Sequence, residues 1–298
     1  MFALGLIEHG HELDRWLRAG SDQLGYYQFL PGTFVDHDLR AMPWTYTTEQ
    51  GQHLSLFTIG VALLQLPFFL LGHLIALLSG AEPNGYTWPY ALVQLLGTPI
   101  YVTAGLALIV SSLRGRASDL AAAGTVVVLL LGTNLIYYTV REPTMSHAYS
   151  FFLFAWLWNL STRTDGRWWA ARLFICGALI VLVRPLNGAA LLLPLLTCIK
   201  PLRAHLQAYG YARAAIGLLV AMALMIPQIM YWHAIMGKWL LFTYGVKGES
   251  FDWHSPHWFG VLFSHQNGWF IYSPLMLAAW FLLMRAVLRR DTRALIVL

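Results

Sequence analysis

The chain has 298 residues, of which 58% are hydrophobic and only 11% charged, against about 25% charged in an average soluble domain. That is too little charge to coat a soluble fold of this size and too much apolar side chain for a disordered one, so the composition points to a polytopic membrane protein. The net charge of +5 comes from short basic clusters set between apolar runs, and so reads as membrane topology rather than as a nucleic-acid-binding face.

In chain order, residues 1–53 hold Glu8, Glu12, Asp14, Asp22, Asp36, Asp38 and Glu49, with no long apolar run and no visible secretory leader. They are expected to form a polar first loop. Leu54–Leu78 is apolar but interrupted by Gly60, Pro67 and Gly72. It either crosses once or folds as a bent pair hinged near Pro67. The clearer spans are Trp88–Ser111, Leu120–Tyr138, Ala148–Leu160, Ala214–Trp232 and Phe270–Val287. A crossing takes about 20 apolar residues, so Ala148–Leu160 must borrow flanking ones. Ala170–Ile199 is too long for one span and is broken by Arg184-Pro185-Leu186-Asn187. Pro185 removes a backbone donor and holds Arg184 extended, which predicts two short helices meeting there. A last apolar segment starts near Ala294 and stops at Leu298, so the chain is expected to be a fragment truncated at both ends. Cys176 and Cys198 lie inside apolar runs and read as packed thiols.

The basic clusters are Arg114/Arg116, Arg163/Arg167/Arg172, Lys200/Arg203/Arg213 and Arg285/Arg289/Arg290/Arg293. The positive-inside rule places them in the cytoplasm. Gly80–Thr87, Thr139–His147, Arg184–Asn187 and His233–Trp269 then lie outside.

The outer side collects the side chains that can do chemistry. They fall in Ser21–Pro31 (with Asp22, Tyr26 and Tyr27), Val35–Arg40 (Asp36 and Asp38), Val140–Tyr149 (Arg141, Glu142 and His147), Val183–Gly188 (Arg184 and Asn187) and Phe263–Pro274 (His265 and Asn267). Ionisable groups next to spans usually face a protein cavity. Carboxylates, guanidinium groups and imidazoles gathered on one face suit a phosphate-bearing substrate and acid–base chemistry. Each group also has a plainer reading. Asp22 can cap a helix beginning at Gln23, Asp36-His37-Asp38 can be a solvated loop, and Arg141-Glu142 can be an ion pair. His147 can bond a backbone carbonyl, Arg184 can satisfy carbonyls freed by Pro185, and His265-Gln266-Asn267 can be a polar turn. Trp168-Trp169, Trp232 and Trp269 suit an interfacial aromatic belt. There is no Gly-rich phosphate loop, Cys-x-x-Cys or His-Glu-x-x-His, so nucleotide hydrolysis and zinc proteolysis have little support.

Asp22-x-x-x-Tyr26 comes first, then Arg141-Glu142-Pro143 with Ser146-His147, then Leu182-Val183-Arg184-Pro185-Leu186-Asn187-Gly188, and last Asn267-Gly268-Trp269-Phe270-Ile271-Tyr272-Ser273-Pro274. In that order these motifs resemble the bacterial polytopic glycosyltransferases of the GT-C superfamily. The nearest families are the dolichyl-phosphate-mannose mannosyltransferase-like and aminoarabinose-transferase-like ones, and the resemblance spans about residues 20–285. It implies an all-α, polytopic transmembrane bundle over residues 1–298, with an extracytoplasmic first loop (1–53) carrying short interfacial helices and a membrane bundle over 54–298. It also implies a multi-pass protein of the bacterial inner membrane that takes a sugar from a polyprenyl-phosphate donor, with inversion, at the periplasmic face. The acceptor would be a lipid, glycan or protein, and no nucleic acid is involved.

By this resemblance Asp22 is the catalytic carboxylate, although Gln23 stands where many members have Glu. The first loop is then outside, which favours the bent reading of Leu54–Leu78. Tyr26, Tyr27, Asp36, Asp38, Arg141, Glu142, His147, Arg184, Asn187, His265 and Asn267 are the candidate substrate contacts. Arg141 and Arg184 are placed to hold the lipid phosphate. A divalent cation can share that role, with Asp22, Glu142 and His147 as ligands. The competing function is a transporter or flippase of a lipid-linked or anionic solute, which would concentrate its polar groups at mid-membrane. A third reading is a structural partner in an envelope complex.

Overall fold

The computed structural model describes residues 17–18, 20–250, 252, 254–266 and 268–289. The described chain is 69% helix. Its one sheet is a two-residue antiparallel hairpin, β1 (Tyr46–Thr47) and β2 (His53–Leu54), with Tyr46 opposite Leu54. Two short helices, α1 (Asp22–Tyr27) and α2 (Phe29–Phe34), precede the hairpin, as expected of the first loop.

Among the described residues three helices are long and apolar enough to cross a membrane: α3 (Gly60–Ser79), α4 (Trp88–Leu113) and α11 (Ala212–Met236). The other expected spans are shorter or broken. Leu120–Tyr138 divides into α5 (Asp119–Leu131) and α6 (Leu135–Val140). The break falls at Gly132, where a Cβ would lie 2.2 Å from Leu275 Cδ1. Ala148–Leu160 falls within α7 (Ser146–Thr162), which has 17 residues. Ala170–Ile199 divides as Pro185 dictates. α8 (Trp169–Val183) ends with Arg184 extended at φ −153°, and a 3₁₀ turn (Pro185–Leu191) follows. That turn runs into α9 (Leu192–Thr197), and α10 (Ile199–Tyr209) leaves it at a 69° bend, which makes the pair a candidate fourth, broken span. Beyond α11 come α12 (Thr243–Val246), α13 (Trp258–Phe263), α14 (Trp269–Tyr272) and α15 (Pro274–Leu288).

Leu54–Leu78 is not a pair hinged at Pro67. α3 runs through Pro67 as one helix, and α4 bonds the carbonyls next to the one that Pro67 leaves without its amide. Tyr101 Oη donates to the Leu64 carbonyl (2.7 Å) and Gln94 Nε2 to the Gln65 carbonyl (3.3 Å). A neighbouring helix that bonds the carbonyls around a proline lets the helix continue.

Contacts along the helices give the direction of each. Thr98 of α4 meets Tyr149 of α7, Gly105 meets Phe151, and Ser112 meets Asn159, so α4 and α7 run parallel. α8 returns beside α7, with Trp169 Nε1 donating to Leu160 O and Cys176 packed near Leu153 O. α11 then runs parallel to α8, starting where Gly217 abuts Ala171. This alternation brings the first three basic clusters to one end. There Arg116 donates to Thr162 O, and Arg213 lies 5.9 Å over the Trp168 ring. The first loop sits at the opposite end, where Thr58 Oγ1 bonds the Val183 carbonyl and the Ile59 amide bonds Gln228 Oε1. The buried core is continuous from α1 and α2 through α3 and α4 to α7, α8 and α11.

Candidate functional site

The polar end of the bundle is built by residues that hold the first loop down. Ser21 caps α1, its Oγ accepting from the Gln23 amide (3.2 Å). The cap is therefore Ser21, and the Asp22 carboxylate is exposed and free of that duty. Gln28, fully buried, ties the loop to itself: it donates to the Trp44 carbonyl (2.8 Å) and accepts from the Trp44 amide (2.8 Å). α1 lies flat on Phe57 because Gly25 has no Cβ, which would come within 2.2 Å of that ring.

The chain from Ser55 to Ile59 then threads between α8 and α11. The Ser55 amide donates to Tyr231 Oη (2.7 Å), the Ile59 amide to Gln228 Oε1 (2.7 Å), and Thr58 Oγ1 to the Val183 carbonyl (3.3 Å). Gly60 touches the α8 backbone so closely that a Cβ would lie 2.2 Å from the Leu182 carbonyl carbon. Gln23 Oε1 accepts from Thr144 Oγ1 (3.0 Å), which joins the first loop to the Arg141–His147 turn.

Arg184 stands where these elements meet. Its Nε donates to Tyr26 Oη at 3.2 Å. Burial works against its charge, but Tyr26, then Tyr244 and Asp22, raise its pKa on balance. Among the described residues no carboxylate lies within ion-pair distance of it, and its terminal nitrogens have no acceptor. Arg184, Asn187, Tyr26, Trp232 and Tyr244 line a cavity of about 750 Å³ whose remaining wall is mostly apolar. Asn187 is anchored to Ser150 Oγ (3.1 Å). Trp232 is 7% exposed and its indole Nε1–H has no partner among the described residues. A buried donor without a partner is costly; the cavity presents the Arg184 fork, and its wall holds the unpartnered Trp232 indole. Both call for oxygen acceptors.

His147 stacks on Tyr138, ring centres 3.9 Å apart, instead of bonding a backbone carbonyl. It lies before the apolar run 148–160. Burial, and then the Arg184 charge, lower its pKa to about 4, so it is neutral at pH 7. Tyr244 responds to the same charges. Burial raises its pKa, Tyr26 and Asp22 add to the rise, and Arg184 opposes it. Asp22, Tyr26, His147, Arg184 and Asn187 thus come together at one end of the bundle, with Tyr138, Trp232 and Tyr244 as additions. Trp232 had read as part of an aromatic belt. Nothing in the local pattern around Tyr138 or Tyr244 marks them, because their place is set by chain segments far away in sequence.

Other expected residues are not part of this group. Tyr27 is fully buried, and its hydroxyl bonds the Gly85 carbonyl. Asp36 faces Tyr86, whose ring lies 4.5 Å from the Arg18 guanidinium carbon. Asp38 holds the Arg40 amide (2.8 Å). Glu142 accepts from Tyr137 Oη (3.0 Å) and, among the described residues, makes no ion pair with Arg141. His265 is exposed, its carbonyl bonded by Tyr272 Oη (3.1 Å). Asn267 lies outside the described residues.

Among the described residues no group of three or more His, Cys, Asp or Glu gathers closely enough to hold a metal ion, Asp22, Glu142 and His147 included. The chain matches no protein-family model, no curated protein and no solved structure.

Proposed function

We propose that the chain is an inverting membrane glycosyltransferase. It moves a sugar from a polyprenyl-phosphate donor to a lipid, glycan or protein acceptor at the outer face of a bacterial inner membrane. The observation that carries this reading is Arg184, a half-buried guanidinium whose terminal donors are free in a largely apolar cavity, with the Asp22 charge beside it. A planar fork suits phosphate oxygens, and apolar walls suit the lipid that bears them.

In this reading the acceptor hydroxyl oxygen attacks the anomeric carbon while Asp22 takes its proton. The bond from that carbon to the phosphate oxygen breaks, and its electron pair leaves with the lipid phosphate. Arg184 and the Trp232 indole N–H receive the charge that grows on that oxygen. Neutral His147 stacked on Tyr138 adds no second positive charge beside Arg184. The test is purified protein in lipid nanodiscs with polyprenyl-phosphate sugars, scored for transfer to lipid, glycan and peptide acceptors. Transfer that disappears with Asp22→Asn supports the reading. Movement of the donor across vesicles without transfer to any acceptor would overturn it in favour of a transporter.

A further inference from the structure

A second cavity of about 560 Å³ lies on the other side of the Ser55–Ile59 segment, between α2, α3 and α11. Ile59 and Tyr231 face this cavity, whereas Thr58 and Trp232 face the Arg184 cavity. Most of its wall is apolar, including Phe29, Leu63 and Ile235. His37, Asp38 and Arg40 also line it, and all three are exposed.

One wall residue carries a buried polar atom that no described residue satisfies. Gln228 is 1% exposed and lines it. The Ile59 amide can only donate, so the Gln228 atom that meets it at 2.7 Å must be the carbonyl oxygen, which fixes the orientation of the side-chain amide. The other end, Nε2, has no partner among the described residues. Buried donors of native proteins are nearly always paired, so an acceptor belongs at this place. Two of the three described helices that are long and apolar enough to cross a membrane, α3 and α11, form its sides. Its exposed edge carries Arg40, which has no ion pair among the described residues, next to the Asp38 carboxylate.

We infer that this cavity binds a glycerophospholipid from the bilayer, with an acyl chain against the apolar wall, an ester carbonyl accepting from Gln228 Nε2, and the phosphate at Arg40. A cation and a carboxylate side by side at the rim match a zwitterionic head group. The site is separate from the Arg184 cavity and does not depend on the transfer reaction.

The experiment reconstitutes the full chain in vesicles of phosphatidylethanolamine and phosphatidylglycerol, doped with a phosphatidylethanolamine that carries a photoreactive acyl chain. Cross-linked residues are mapped by mass spectrometry. Labelling is expected to concentrate on Leu63, Leu66 and Ile235. Gln228→Glu keeps an oxygen for the Ile59 amide and removes the free donor, so labelling there should fall about 5- to 10-fold, the worth of one hydrogen bond. Ala234→Trp fills the cavity from an exposed wall position and leaves Gln228 untouched, so it should abolish the labelling even if Gln228→Glu fails to fold. Labelling spread evenly over exposed apolar positions such as Leu70 and Leu74, and unchanged by Ala234→Trp, would mean bulk lipid only and would overturn the inference.

Discussion

Arg184→Ala gives the most direct test of the phosphate assignment. Among the described residues the side chain makes one bond, Nε to Tyr26 Oη at 3.2 Å, which leaves its terminal nitrogens for a ligand. Losing the Tyr26 bond costs about 1 kcal/mol of stability, an effect that Tyr26→Phe isolates. Truncating one partner of a buried charge pair costs about 2–5 kcal/mol. Arg184 is only half-buried, which places the loss near the lower end, about 2–3 kcal/mol or a 30- to 150-fold rise in Kd. Arg184→Lys keeps the charge without the fork and should fall between wild type and alanine. The assay is equilibrium binding of radiolabelled polyprenyl phosphate to protein in nanodiscs, with thermal unfolding run on the same samples. Tyr26→Phe should stay within about threefold of wild type, because it leaves the terminal nitrogens in place. If Arg184→Ala bound as tightly as wild type in a folded sample, the guanidinium would not be the phosphate contact and the reasoning from its free donors would fail.

Asp22→Asn should lower turnover by about 10²–10⁴-fold and leave the melting temperature unchanged, since Ser21 holds the cap; an unchanged rate in the transfer assay would move the base elsewhere. Trp232→Phe keeps the packing and removes the unpartnered indole donor, so donor binding should weaken about 5- to 10-fold, whereas equal binding would make Trp232 a packing residue. Gly60→Ala forces a Cβ against the α8 backbone and should destabilise by about 1–3 kcal/mol in a thermal-shift assay. His147 has a folded pKa of about 4, below its unfolded value of about 6.5. The unfolded chain therefore takes up the proton first, so the contribution of His147 to stability is complete above pH 6.5 and is lost as pH falls towards 4. His147→Phe should flatten that part of the stability profile, and an unaltered profile would refute the burial argument.

The parts legible in the sequence are those written in local chemistry. Basic clusters at alternate connections foretold that Arg116, Arg172 and Arg213 would lie at one end. Arg184-Pro185 foretold the break after α8, because a proline limits its own residue and the one before it. Pro67 misled for the same reason. Its local rule is real, but Tyr101 and Gln94 of another helix bond the neighbouring carbonyls, and no local pattern announces them. The candidate site divides in the same way. Asp22, Arg184 and His147 stand out as charged or titratable groups next to apolar runs. Tyr27 looked equivalent to Tyr26, and only the position of Gly85, 58 residues on, turns it into the core. Trp232 and Gln228 became visible only through what they lack, a partner, and a missing partner can be seen only in three dimensions.

The Ser55–Ile59 segment bends between two cavities, and its amides at Ser55 and Ile59 are held by the side chains of Tyr231 and Gln228. Hydrogen exchange at these two amides therefore reports on α11 and not on any sheet. Both amides depend on a single turn of one helix, so their protection rises and falls together. The cavities on either side cannot loosen one at a time, and whatever steadies the segment from the Gln228 side also steadies the wall against which Arg184 works.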